Sequence, residues 1–119
     1  TVDQLAACDY LGLVSGNQVP DKVARAGFHT EKFSRVNAPV IAELPMVLEC
    51  RVKSYDEENE RLVGEILNVS ADESILTDGK IDPAKLRPLV LDPVNHTYLV
   101  AEQAVGKAFA HTKAPGEIK

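Results

Sequence analysis

Residues 43–54, ELPMVLECRVKS, set a carboxyl and a thiol side by side at Glu49 and Cys50. A nucleophilic cysteine needs an exposed, electropositive setting and a base within hydrogen-bond reach. The stretch has the two-residue period of a β-strand, which sends neighbouring side chains to opposite faces. Met46, Leu48, Cys50 and Val52 face one way, and Glu49, Arg51 and Lys53 the other. The two groups therefore diverge and cannot act on one atom. The pattern predicts Cys50 as a small buried hydrophobe, unreactive toward a thiol probe. It predicts Glu49 on a solvated or ion-paired face, with Arg61 or Glu65 as its cross-strand partner, a ligand-facing or dimer-facing role being the alternative. A Cys50-dependent hydrolase is the weakest functional reading.

Other reactive residue types are dispersed. His29, His96 and His111 belong to no HxH or HExxH pattern, and Cys8 and Cys50 have neither a metal-ligand spacing nor a disulfide framework around them. The loop LVSGNQVPDK is more suggestive. Ser15 and Gly16 lead toward a helix start with Lys22 one turn inside, where backbone amides and the helix dipole favour an anion. The GxxxxGK[ST] spacing of a nucleotide-binding loop is absent. His29, in the polar stretch after this helix, is a further candidate for a ligand phosphate.

The chain has 119 residues, one domain's length, with 45% hydrophobic and 26% charged residues. A net charge of -5 and dispersed basic residues argue against a nucleic-acid partner. No apolar run has the ~20 residues that span a bilayer, and the N-terminal residues do not read as a signal peptide. The cysteine usage fits a reducing cytoplasm.

These residues need elements to position them. Thr1 and Gln4 have the form of a capping box that opens a helix over TVDQLAACDYLGLVSG. A second, short helix over VPDKVARAGF has Pro20 at its first position and Gly27 as its cap. HTEKFSRVNAP reads as a polar connection and PVIAEL as a single helical turn. Two strands follow, joined by the charged turn YDEENE. The return strand RLVGEILNVSA carries apolar residues on both faces, Val63, Leu67 and Val69 against Leu62 and Ile66, so it is expected to be the more central one. Gly64 suggests a bulge or a close backbone approach. Asp78-Gly79 reads as a tight turn, Asp82-Pro83 as a helix start, and LVL and TYLVA as short strands. The order gives an α+β or mostly β domain over residues 1–110, with a tail at 111–119.

Taken together, DYLGLVSG, PDKVARAGF, NAPVIAELPMVLECRVKS and LVGEILNVSADESILTDGKIDPAKLRPLVLDPVNHTYLV resemble, in order and spacing, the latter part of the flavin reductase-like family. That resemblance runs from about Val2 to Phe109 and takes in the flavoredoxins. It implies an FMN-binding split β-barrel with flanking helices, lacking here its N-terminal half of about eighty residues. It implies a homodimer, or pairing with a missing N-terminal segment, that passes electrons between NADH or NADPH and flavin, or from FMN to a further acceptor. On the same ground Ser15, Gly16, Lys22 and Tyr98 are the cofactor-binding candidates. Chemistry in such proteins belongs to the flavin, so no catalytic side chain or metal is expected. The alternative is a non-catalytic dimerisation or binding domain that has lost flavin.

Overall fold

The computed structural model describes residues 1–32 and 35–117; Phe33 and Ser34 in the expected polar connection, and Ile118 and Lys119 in the tail, lie outside the described residues. A 3-10 turn over Val2–Gln4 leads into helix α1, Leu5–Leu13. The capping box does not form. The Gln4 amide already donates to the Thr1 carbonyl, which places Gln4 at the helix N-cap rather than three residues inside, and the Thr1 hydroxyl bonds the Gln4 side chain instead. Helix α2 is a single turn, Lys22–Arg25, two residues later than Pro20 suggested. Gly27 ends it with φ +84°, a conformation that glycine adopts without the steric cost other residues bear.

The stretch expected to be a polar connection and a helical turn instead forms a ribbon. Strand β1, Thr30–Lys32, pairs antiparallel with β2, Pro39–Ile41. Val40 and Ile41 are β-branched and favour the extended form. Val40 is also one of the few buried apolar residues.

Strands β3, Met46–Asp56, and β4, Arg61–Ala71, make the longest ribbon. Their pairing shifts twice. Glu49 faces Asn68 but Cys50 faces Ile66, so Leu67 is an extra residue in β4; Val52 faces Gly64 but Ser54 faces Val63, so Lys53 is an extra residue in β3. The first shift explains why simple alternation misassigned β4. Val69 and Ile66 lie on one face, opposite Leu48 and Cys50, because the bulge absorbs the odd residue between them. Gly64 lies beside the second shift, and a Cβ there would sit 3.4 Å from that of Cys50, as close backbone approach requires. Nor is β4 more central: it pairs with β3 alone.

A 3-10 turn, Glu73–Ile75, leads to β5, Leu76–Thr77, and β6, Lys80–Ile81. Asp78 and Gly79 both have positive φ, 52° and 74°, as a two-residue hairpin turn demands. Gly79→Ala is therefore expected to cost about 1 kcal/mol, read as a lower urea midpoint at unchanged slope. Helix α3, Pro83–Leu86, starts as expected: Asp82 caps the Ala84 amide at 2.9 Å and Pro83 occupies the first position. Strand β7, Leu89–Asp92, then pairs with β8, Thr97–Val100. The β3–β4 and β7–β8 turns share one device. Asp56 and Asp92 each accept from amides two and three residues on and from an asparagine, Asn59 or Asn95. Those bonds hold both carboxyls below the ordinary aspartate range, the asparagine side chain contributing most.

The described residues thus form four two-stranded antiparallel ribbons with short helices, mostly β. They make no closed barrel. The ribbons pair only within themselves, so no hydrogen-bonded sheet closes. Among the described residues, Phe28, Val40 and Ile75 are the buried apolar ones, whereas Leu48, Val52, Leu62, Ile66 and Val69 along one face of β3–β4 are exposed.

Candidate functional site

Helix α1 links the sequence-derived candidates. At its middle, Asp9 accepts a 2.9 Å hydrogen bond from the Tyr98 hydroxyl on β8. That bond, with some burial, holds the phenol above its ordinary range, so it stays protonated and donating through neutral pH. Beneath them lies a cavity of about 400 Å³ whose walls include Cys8, Met46, Leu48, Leu89, Leu91 and Tyr98. Its lining is apolar apart from the phenol, the thiol and Thr1. Such a cavity fits a flat, largely apolar ring.

At the other end of α1 the Lys22 ammonium donates to the Leu11 carbonyl at 2.9 Å and the Val14 carbonyl at 2.8 Å. These are the unsatisfied carbonyls of the helix C-terminus, where a cation is favoured. Gly16 lies against the same side chain, a Cβ there being 3.8 Å from Lys22 Cε, and Ser15 Oγ accepts from the Asn17 amide at 3.3 Å. Ser15, Gly16 and Lys22 are thus brought together. Tyr98 is placed apart from them, held to α1 through Asp9. The Asp9 role had one sequence signal, a lone acid among the apolar residues of LAACDYLGL, and nothing in that signal names its partner.

Glu49 and Cys50 reverse their expected environments. Cys50 is exposed, while Glu49 is buried at 5% exposure. Alternation did assign the two faces of β3 correctly. The error concerned which face is covered: the apolar face toward Cys50 and Val52 is open, whereas Glu49 faces a small cavity walled in part by Pro39 and Val40 of β2. Glu49 Oε2 accepts from Asn68 Nδ2 at 2.7 Å, and Arg51, not Glu49, pairs with Glu65 at 3.1 Å. Glu49 Oε1 has no hydrogen-bond partner among the described residues.

His29 is engaged by Glu43, which accepts from its backbone amide at 2.9 Å and contacts Nδ1 at 2.5 Å. The amide bond, then the ring contact, lowers the Glu43 carboxyl below its ordinary range. Among the described residues no group of three or more His, Cys, Asp or Glu is placed to hold a metal ion, and no helix is long and apolar enough to cross a membrane.

No family model matches the chain, and no curated protein sequence does. Solved structures do. Flavoredoxin of Desulfovibrio vulgaris (Miyazaki F) is 33% identical and superposes with a TM-score of 0.84 over 93% of this chain. The fold is flavin reductase-like. A flavoredoxin from Methanosarcina acetivorans gives 34% identity and a TM-score of 0.73 over 86% of the chain. An FMN-binding domain of a flavin reductases-like enzyme from Shewanella baltica OS155, at 19% identity, agrees in fold with a TM-score of 0.70 over 90% of the chain. The flavin reductase-like chain described here spans 60%, 54% and 59% of those three proteins, respectively.

Proposed function

We propose that the chain is part of an FMN-dependent electron-transfer protein, working between NADH or NADPH and flavin or a downstream acceptor. The observation that carries this reading is the 0.84 superposition on a flavoredoxin at 33% identity, with an apolar cavity of ring size beside α1. FMN, when bound, supplies the redox chemistry. The chain's residues hold it: Met46, Leu48, Leu89 and Leu91 offer the ring an apolar surface, and Tyr98, fixed by Asp9, gives the cavity one oriented polar edge. Ser15, Gly16 and the remaining ammonium proton of Lys22 form a second polar site for the phosphate.

Titration with FMN, followed by flavin fluorescence and the visible spectrum, is expected to show saturable binding, weakened about tenfold by Tyr98→Leu, the scale of one lost buried contact. An unchanged spectrum at saturating FMN would sink the reading. Oxidation of NADH against NADPH with FMN present then tests the donor.

The open apolar face of β3–β4 favours a second reading, a dimerisation or binding domain without flavin. A colourless protein that self-associates through that face would support it. In the first reading the same face serves a homodimer or a further segment of the protein, and association accompanies flavin binding.

A further inference from the structure

The face of β3 turned away from the α1 cavity holds the one buried charged side chain among the described residues, Glu49. Glu49 lines a separate cavity of about 230 Å³ whose other walls include Val36, Ala38, Pro39, Val40 and Leu48. Asn68 fixes the carboxylate. Its Nδ2 donates to Glu49 Oε2 at 2.7 Å and to Ser70 Oγ at 3.1 Å, and the bulge at Leu67 follows at once. Among the described residues, Oε1 is left fully buried without a donor. A buried acceptor without a partner is costly, and its presence in a native fold calls for a donor from elsewhere.

We propose that Glu49 and this slot form a second ligand site, which takes a small flat ring bearing an N–H donor, an aromatic primary carboxamide being the simplest. The apolar walls between β2 and β3 suit a ring face. The single unmatched oxygen suits one N–H, and the carboxylate repels an anion in the same place. Because the slot lies across the strand from Tyr98, the proposal stands whether or not FMN occupies the α1 cavity.

The test is a titration of the full chain with nicotinamide, benzamide and nicotinate, followed by backbone amide chemical shifts. Nicotinamide and benzamide are expected to move the Val40, Glu49 and Asn68 signals, with nicotinate about tenfold weaker or more. Glu49→Gln, which keeps the shape and removes the charge, is expected to close that gap. The site is overturned if nicotinate binds as well as nicotinamide, if shifts appear only around Tyr98, or if no probe moves the Glu49 region. A gap that survives in Glu49→Gln overturns the carboxylate's role. The comparison of the probes on the unaltered chain needs no variant to fold. Failure of FMN titration leaves these outcomes unchanged, so the two readings fail separately.

Discussion

Ile75→Ala is expected to destabilise the chain by about 3 kcal/mol, the middle of the range for a buried aliphatic truncated to alanine. Ile75 is 4% exposed, the lowest of the buried apolar residues. Its backbone is fixed on both sides: the amide donates to the Asp72 carbonyl at 3.2 Å and the carbonyl accepts from the Asp82 amide at 2.9 Å. The side chain therefore cannot slide to refill the space, and the lost methyl groups leave a cavity beside Leu86. Val52→Ala removes similar chemistry from a side chain that is 62% exposed, and is expected to cost less than about 0.5 kcal/mol. Urea unfolding of the two variants in parallel checks this. Equal losses would mean that the stabilising core lies along β3–β4 and not under the β5–β6 turn.

That comparison also marks where sequence pattern stops informing. Local chemistry was legible. Asp78-Gly79 demanded a hairpin turn, Asp82-Pro83 a capped helix start and Gly27 a helix end, because each rests on the backbone preferences of a few adjacent residues. The strands that alternate cleanly, at Met46 and at Thr97, were legible for the same reason. What covers each face was not. Alternation names two faces of β3 and assigns the apolar one to the interior, but burial is decided by what lies over each face, and Pro39 and Val40 of β2 wall the cavity on the side of Glu49. Val40 carried no warning of this, since PVI with two flanking polar turns reads equally as a helical turn or a short strand. The candidate site divides along the same line. Ser15, Gly16 and Lys22 are close in sequence and lie together in the fold. Tyr98 is hydrogen-bonded to Asp9, which lies 89 positions away, and no spacing rule links such a pair.

Asn68→Leu is expected to cost about 3 kcal/mol, because it strips the one donor that the described residues give to a carboxylate already short of partners. Leucine approximates the size and shape of asparagine, so packing changes little and the loss reports the stranded oxygen. Two hydrogen bonds go with it, the 2.7 Å bond to Glu49 and the 3.1 Å bond to Ser70. Ser70 is only partly buried and can turn to water; Glu49, at 5% exposure, has no such escape. The double variant Glu49→Leu/Asn68→Leu is then expected to recover most of the loss, since two facing leucines on a covered strand pair satisfy each other where one leucine and a bare carboxylate do not. Chemical denaturation of the single and double variants gives the coupling directly. Additive losses would mean that Glu49 reaches solvent in the folded chain, and its unmatched oxygen would then need no ligand.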